Sequence, residues 1–136
     1  MSMLTALTSH LQNHAGLAGV ISSRVYPARM FDPSTSAANT FPLVTYQLID
    51  EAVSGTHGNN HVFAARVQVD AWGDSYKAAH AAATQVFAAL EGYSGAMGDQ
   101  SVDVGGCFRK AKRDLPEPDV NLHRVSQDFR INWKEL

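Results

Sequence analysis

Val62-Phe63-Ala64-Ala65-Arg66-Val67-Gln68-Val69-Asp70-Ala71-Trp72, followed at once by Gly73-Asp74-Ser75, decides how the rest of this 136-residue chain is read. Phe63, Ala65, Val67, Val69 and Ala71 take alternate positions, and Arg66, Gln68 and Asp70 fall between them. Successive side chains of a strand point to opposite faces, so the alternation predicts a strand with one apolar and one polar face. Gly73-Asp74-Ser75 is a helix-start signal with Asp74 as the expected N-cap. The helix is expected from Ser75 to about Glu91. It is rich in alanine, the best helix former, and Gly92 supplies its stop. Tyr76, Ala79, Ala83, Val86, Phe87 and Leu90 fall on one stripe of it.

Upstream, Val44, Tyr46 and Leu48 alternate with Thr45 and Gln47, which predicts a second strand over residues 43–50. The polar, glycine-bearing stretch Ser54-Gly55-Thr56-His57-Gly58-Asn59-Asn60 joins the two strands as the tip of an antiparallel hairpin. Residues 27–42 hold Pro33, Ser34, Thr35, Ser36, Asn39 and Thr40 without periodicity, and so read as a long loop. Leu4, Leu7 and Leu11 mark a first amphipathic helix, with Ser2 as its N-cap and Gly16 and Gly19 breaking the pattern. A short extended piece is expected over residues 21–26.

Downstream, residues 102–113 and 122–133 read as two more strands, joined by the turn Leu115-Pro116-Glu117-Pro118-Asp119. In the second of these, Val125, Phe129, Ile131 and Trp133 face one way. Arg124, Ser126, Asp128, Arg130 and Asn132 face the other. The expected fold is α+β: an antiparallel sheet of about four strands with two helices packed on one face, in a single domain over residues 1–136. Its expected core is Val67, Val69, Phe87, Leu90, Phe129 and Ile131.

Hydrophobic residues make up 45% of the chain and charged ones 18%, which excludes a disordered solvating segment. The formal net charge of -2 lacks the basic excess of a nucleic-acid-binding domain. A single cysteine, Cys107, makes no internal disulfide, and no apolar run is long enough to span a membrane. The N-terminal residues have no signal-peptide pattern, so a soluble chain in the cytoplasm is expected.

Chemistry-bearing constellations are weak. Among six histidines, His10 and His14 are four apart, as are His57 and His61, the spacing a zinc pair uses on a helix. The first pair has no adjacent glutamate and the second sits in a glycine-rich turn, so neither is expected to hold a metal. His80 reads as a partly buried helix residue and His123 as a strand residue near the surface. Cys107 follows Gly105-Gly106, which suggests a bulge, and reads as a small buried thiol. In the basic run Arg109-Lys110-Ala111-Lys112-Arg113, strand alternation puts Arg109 and Arg113 on one face and Lys110 and Lys112 on the other. That run is a solvated edge strand or a grip on an acidic surface or DNA phosphate. No catalytic, cofactor or metal site is expected.

Arg24-Val25-Tyr26-Pro27, Phe41-Pro42-Leu43-Val44-Thr45-Tyr46-Gln47, Val67-Gln68-Val69-Asp70-Ala71-Trp72 and Asp128-Phe129-Arg130-Ile131-Asn132-Trp133 together resemble the tail completion, or tail terminator, proteins of long-tailed bacteriophages and gene transfer agents. The likeness runs over nearly the whole chain. It implies a structural virion protein: a hexameric ring at the head-proximal end of the tail tube, at the head-tail junction, assembled in the bacterial cytoplasm. Such a ring ends tube polymerisation, contacts the tail tube protein and a head-side neck or stopper protein, and lets DNA cross without sequence-specific binding. No membrane is involved. The candidate interface is the polar strand face, with Arg66, Asp70, Arg124, Asp128 and Arg130. The hairpin tip, Ser54, Gly55, Thr56, His57, Gly58, Asn59 and Asn60, completes it. Alternatives are another neck component such as a stopper, a small metal-dependent enzyme using His57, His61 and an aspartate, or a DNA-binding module on the basic run.

Overall fold

In the computed structural model, the described residues are 3–28, 31, 40–55, 61–98, 102–118 and 121–135, with 54, 55 and 61 described by backbone alone. Their elements run α1 (Met3–Asn13), α2 (Ala15–Ile21), β1 (Val25–Pro27), β2 (Leu43–Gly55), β3 (His61–Gly73), α3 (Tyr76–Leu90), β4 (Gly95–Met97), β5 (Val102–Glu117) and β6 (Leu122–Glu135). One sheet of six strands has the order β1-β2-β3-β6-β5-β4. β1 lies parallel to β2, and every other neighbouring pair is antiparallel. The expected α+β class holds. The expected four antiparallel strands and two helices become six strands in a mixed sheet and three helices among the described residues.

Each difference has a local cause. Gly16 and Gly19 do not end helical structure; His14 stops α1 and starts α2, its Nδ1 accepting from the Leu17 amide at 3.2 Å. The extended piece expected over residues 21–26 is shorter and later, because Ile21 still belongs to α2 and β1 begins at Val25, while β4 is three residues long, too short to leave a periodic trace in the sequence. Ser75, not Asp74, caps α3, its hydroxyl accepting from the Ala78 amide at 3.1 Å. Gly92 does end that helix, in the left-handed conformation at φ 74° that a side chain disfavours. The expected N-cap Ser2 and residues 29–30 and 32–39 of the expected 27–42 loop lie outside the described residues.

The helices cover one face of the sheet. Leu7, Leu11, Leu17, Ile21, Val86 and Leu90 meet Val67, Val69, Phe129 and Ile131 in the main buried cluster. Two members of the helix stripe read from the sequence sit elsewhere. Tyr76, in the first turn of α3, is 57% exposed and lies against the His80 ring. Phe87 is half-buried, its ring covered by the Arg109 guanidinium at 4.2 Å. A smaller cluster of Leu43, Trp72 and Leu122, joined by Phe31 and Phe41, lies apart from the main core.

Cys107 is fully buried, as its setting suggested, and the Val104/Gly106 register shift confirms the bulge beside it. A second shift between Arg109 and Ala111 corrects the reading of the basic run. It turns Arg109 to the helix side, opposite Phe129, and Arg113 to the outer side, opposite Ser126.

Truncating Phe129 to Ala is expected to cost about 3–5 kcal/mol, the range for a buried aromatic. Phe87→Ala is expected to cost clearly less, because its ring already meets water and a guanidinium. Urea denaturation of both variants checks the ordering.

Candidate functional site

The face of the sheet turned away from the helices gathers most of the chain's paired charge. Strand alternation and register set its rows, because residues directly opposite each other share a face. One row runs Leu43, Trp72, Arg124, Leu115; the next Thr45, Asp70, Ser126, Arg113; the next Gln47, Gln68, Asp128, Ala111; and then Asp50, Arg66, Arg130, Phe108. The five polar-face residues singled out from the sequence, Arg66, Asp70, Arg124, Asp128 and Arg130, all lie on this face. The hairpin-tip residues Thr56, His57, Gly58, Asn59 and Asn60 lie outside the described residues, and Ser54 and Gly55 end β2.

Asp128 is the hub. It is only 3% exposed and accepts from Arg66 Nη2 at 2.8 Å and from Arg113 Nη2 at 3.1 Å. Burial alone would raise its pKa. The two guanidinium groups outweigh that through hydrogen bonds and charge, and hold the carboxyl below the usual carboxylate range. Arg113 also reaches the Ser126 hydroxyl at 3.4 Å, so β5 and β6 are tied twice at this level.

Asp70 has the opposite balance. Burial raises its pKa, and its bonds to Ser126 and Gln68 with the charge of Arg124 only partly offset this. Gln68 Nε2 lies 3.1 Å and 3.2 Å from the two Asp70 oxygens, and Arg124 Nη1 lies 3.6 Å from one. Arg124 bonds Glu117 at 2.9 Å and lies over the Trp72 ring at 5.1 Å. Trp72 in turn donates to the Thr45 hydroxyl at 3.0 Å. The two aspartates are therefore internal anchors, and the arginines are what this face shows to the outside. Arg66 has half its side chain exposed and Arg130 is exposed.

The other chemistry-bearing residues are spent on structure. His10 Nε2 lies 2.9 Å from the Ala89 carbonyl, with its ring against Tyr93, while His14 caps α2. His80 Nε2 lies 3.0 Å from Asp114, and His123 packs edge-on to Tyr76. His57 and the side chain of His61 lie outside the described set. Among the described residues, no three of His, Cys, Asp and Glu gather as metal ligands. No helix among them is long and apolar enough to cross a membrane. Burial pushes the Cys107 thiol up to about 12.

Sequence reading missed Gln127. It sits on the apolar side of β6, fully buried, donating to the Ala83 carbonyl at 3.0 Å and accepting from Arg109 at 3.1 Å. It pins the middle of α3 to the sheet. A polar residue in the apolar register of an otherwise alternating strand was the signal available for finding it.

Comparison with known proteins adds two findings. The family model described as "Tail completion protein gp17" matches residues 5–133. A chain from a solved structure, the virion of a native gene transfer agent (GTA) particle, is 21% identical, with a TM-score of 0.65. The alignment covers 98% of this chain and 95% of that one, a likeness of fold. No curated protein matches.

Asp128→Asn is expected to cost about 1.5–3 kcal/mol at neutral pH, the range for hydrogen bonds to a charged group. The folded pKa of Asp128 lies below its unfolded value of about 3.9. Its contribution is complete above that unfolded value and lost as pH falls through the folded one, so the wild-type advantage shrinks in acid. Asp70 has a raised pKa, so its ionisation lowers stability as pH rises through the folded value. Asp70→Asn is accordingly expected to cost less than Asp128→Asn at neutral pH. Urea titrations between acid and neutral pH read both.

Proposed function

Because this chain belongs to the tail completion protein gp17 family, a bacteriophage tail-completion family of structural virion proteins, we propose that it forms a ring, hexameric in the assembled particle, at the head-proximal end of the tail tube. There it ends tube polymerisation and joins the tail to the head. The observation that carries this reading is the family match from residue 5 to residue 133, which takes in every β-strand from β1 to β6 up to Trp133. The proposed partners are further copies of the chain, the tail tube protein and a head-side stopper, with DNA passing through the ring. Assembly takes place in the cytoplasm of the bacterial host.

The physical character of the outer face supports a conduit. Its carboxylates and guanidinium groups largely neutralise one another within the chain, and the formal net charge is -2. DNA held by many unpaired cations would be retained instead of passed, because phosphate affinity grows with each neutralising contact. Arg66, held by Asp128, Arg124, held by Asp70, and the exposed Arg130 are the proposed contact residues of this face, with the hairpin tip at residues 54–60 as a second docking element. Fixed charges of both signs favour one docking register over its competitors.

Deleting the gene in a particle-producing host is expected to give overlong or headless tails in negative-stain micrographs. Arg130→Glu alters an exposed side chain and is expected to leave the melting temperature near wild type while lowering the yield of joined particles. Normal tail length and normal head joining in the deletion strain would overturn the terminator reading.

A further inference from the structure

Among the described residues the sheet is open at both edges, and the two open stretches are complementary. Among the described residues, β1 pairs with β2 only as far as Tyr46, so the outer edge of β2 over residues 48–55 has no strand against it. β4 pairs with β5 only from Val102 to Val104. The turn after α3 covers β5 a little further, with the Gly92 amide on the Cys107 carbonyl and Glu91 on the Arg109 amide. Beyond that, residues 110–115 have no strand on their outer side, and Pro116, which lacks an amide hydrogen, closes the stretch. A row of unpaired amides and carbonyls is a template for another strand.

The exposed side chains differ in kind. On β2 they are Leu48, Ile49 and Val53, the last 59% exposed, with the acidic Asp50 and Glu51. On β5 they are the basic Lys110, Lys112 and Arg113, with one acidic residue, Asp114, whose carboxylate is turned to His80 at 3.0 Å. Like edges repel, and unlike edges attract.

Resting on the ring reading above, we infer that copies of this chain join head to tail by pairing the outer edge of β2 with the outer edge of β5 of the next copy. Direction allows it. Within the sheet β2, β3, β6 and β5 alternate in direction, so β2 meets a neighbour's β5 antiparallel. Register follows from keeping the helices of both copies on one side. Glu51, level with Ala65 on the helix side, then faces a residue on that same side of β5, and Lys112, level with Gln127, is one. Asp50, on the outer side with Arg66, then faces Arg113, on the outer side with Ser126. Both facing pairs are of opposite charge.

The geometry also closes. Glu51 lies at the level of Ala65 on β3, and Lys112 at the level of Val69 by way of Gln127. Those levels are roughly 14 Å apart at about 3.4 Å per residue, and four strands repeat across roughly 19 Å at about 4.8 Å each. The stagger tilts the strands by about 35°, at the lower end of the range of about 35–45° at which sheets close into barrels. β1 and β4 occupy the halves of the two edges that this pairing leaves unused. A heterologous contact whose rotation closes makes a ring.

The test uses the full-length chain and two sets of variants. Ala52 and Ala111 lie on the outer face at opposite edges of one sheet, and the proposed register sets them opposite each other between copies. Ala52→Cys/Ala111→Cys is expected to cross-link on oxidation into a ladder of covalent oligomers that stops at the ring, whereas either single variant stops at a dimer or below. Glu51→Lys and Lys112→Glu, each folded by circular dichroism, are expected to weaken self-association at least tenfold in sedimentation and to fail in complementation. The two reversals combined in one chain restore both. Wild-type rings that leave the cysteine pair uncross-linked, or single reversals that assemble normally, would overturn the edge pairing and leave the ring standing. So would a combined reversal that fails to rescue. A wild-type chain that stays monomeric on isolated tails as well as in solution would overturn the ring reading, and the edge pairing with it.

Discussion

The pairing of β3 with β6, unbroken from Phe63 opposite Trp133 to Gly73 opposite His123, is the constraint on which the remaining structure depends. These two strands carry Val67, Val69, Phe129 and Ile131 to the helices and Asp70, Ser126 and Asp128 to the other side. A slip of one residue would exchange the two sets, putting carboxylates under α3 and aliphatic side chains in water. Burial on the helix side therefore holds the register, and the register holds the charge pattern. Irregularities are tolerated only outside this pair: the shifts at Leu48/Asp50, Val104/Gly106 and Arg109/Ala111 all fall on β2 or β5.

Charge on the outer face has two tasks with different energetics. Asp128, nearly out of reach of water, must have its two arginines, since an unpaired buried carboxylate is expensive. The arginines themselves reach solvent and gain little from the pairing, as exposed ion pairs do. Their positions are nevertheless fixed, and the proposed docking role of this face needs position more than it needs strength. Gln127 plays the corresponding part on the helix side, where one buried amide links β6, β5 and α3 without adding charge.

Much of this architecture was legible because it rests on periodicity. The Val62-to-Trp72 alternation, the alanine-rich helix after it and the polar positions of β6 all stood in the pattern, and with them the polar face. What escaped was whatever has no period. A three-residue strand such as β4 is defined by its neighbour and not by its own side chains. The bulge at Lys110 reverses the facing of Arg113 relative to Arg109, and nothing in the run Arg109-Lys110-Ala111-Lys112-Arg113 announces it. Ser75 and Asp74 are both good caps, and only the angle at which the chain leaves β3 chooses between them. The likeness to the tail completion family was carried by the order of four strand words, none of them distinctive alone.

The deep placement of Cys107 has a consequence for its chemistry. A thiol with its pKa near 12 is almost wholly protonated at neutral pH, and only the thiolate attacks disulfides or reacts readily with oxidants. With its one sulfhydryl fully buried beside the Gly105-Gly106 bulge, this chain offers oxidants and disulfides neither access nor a thiolate to attack.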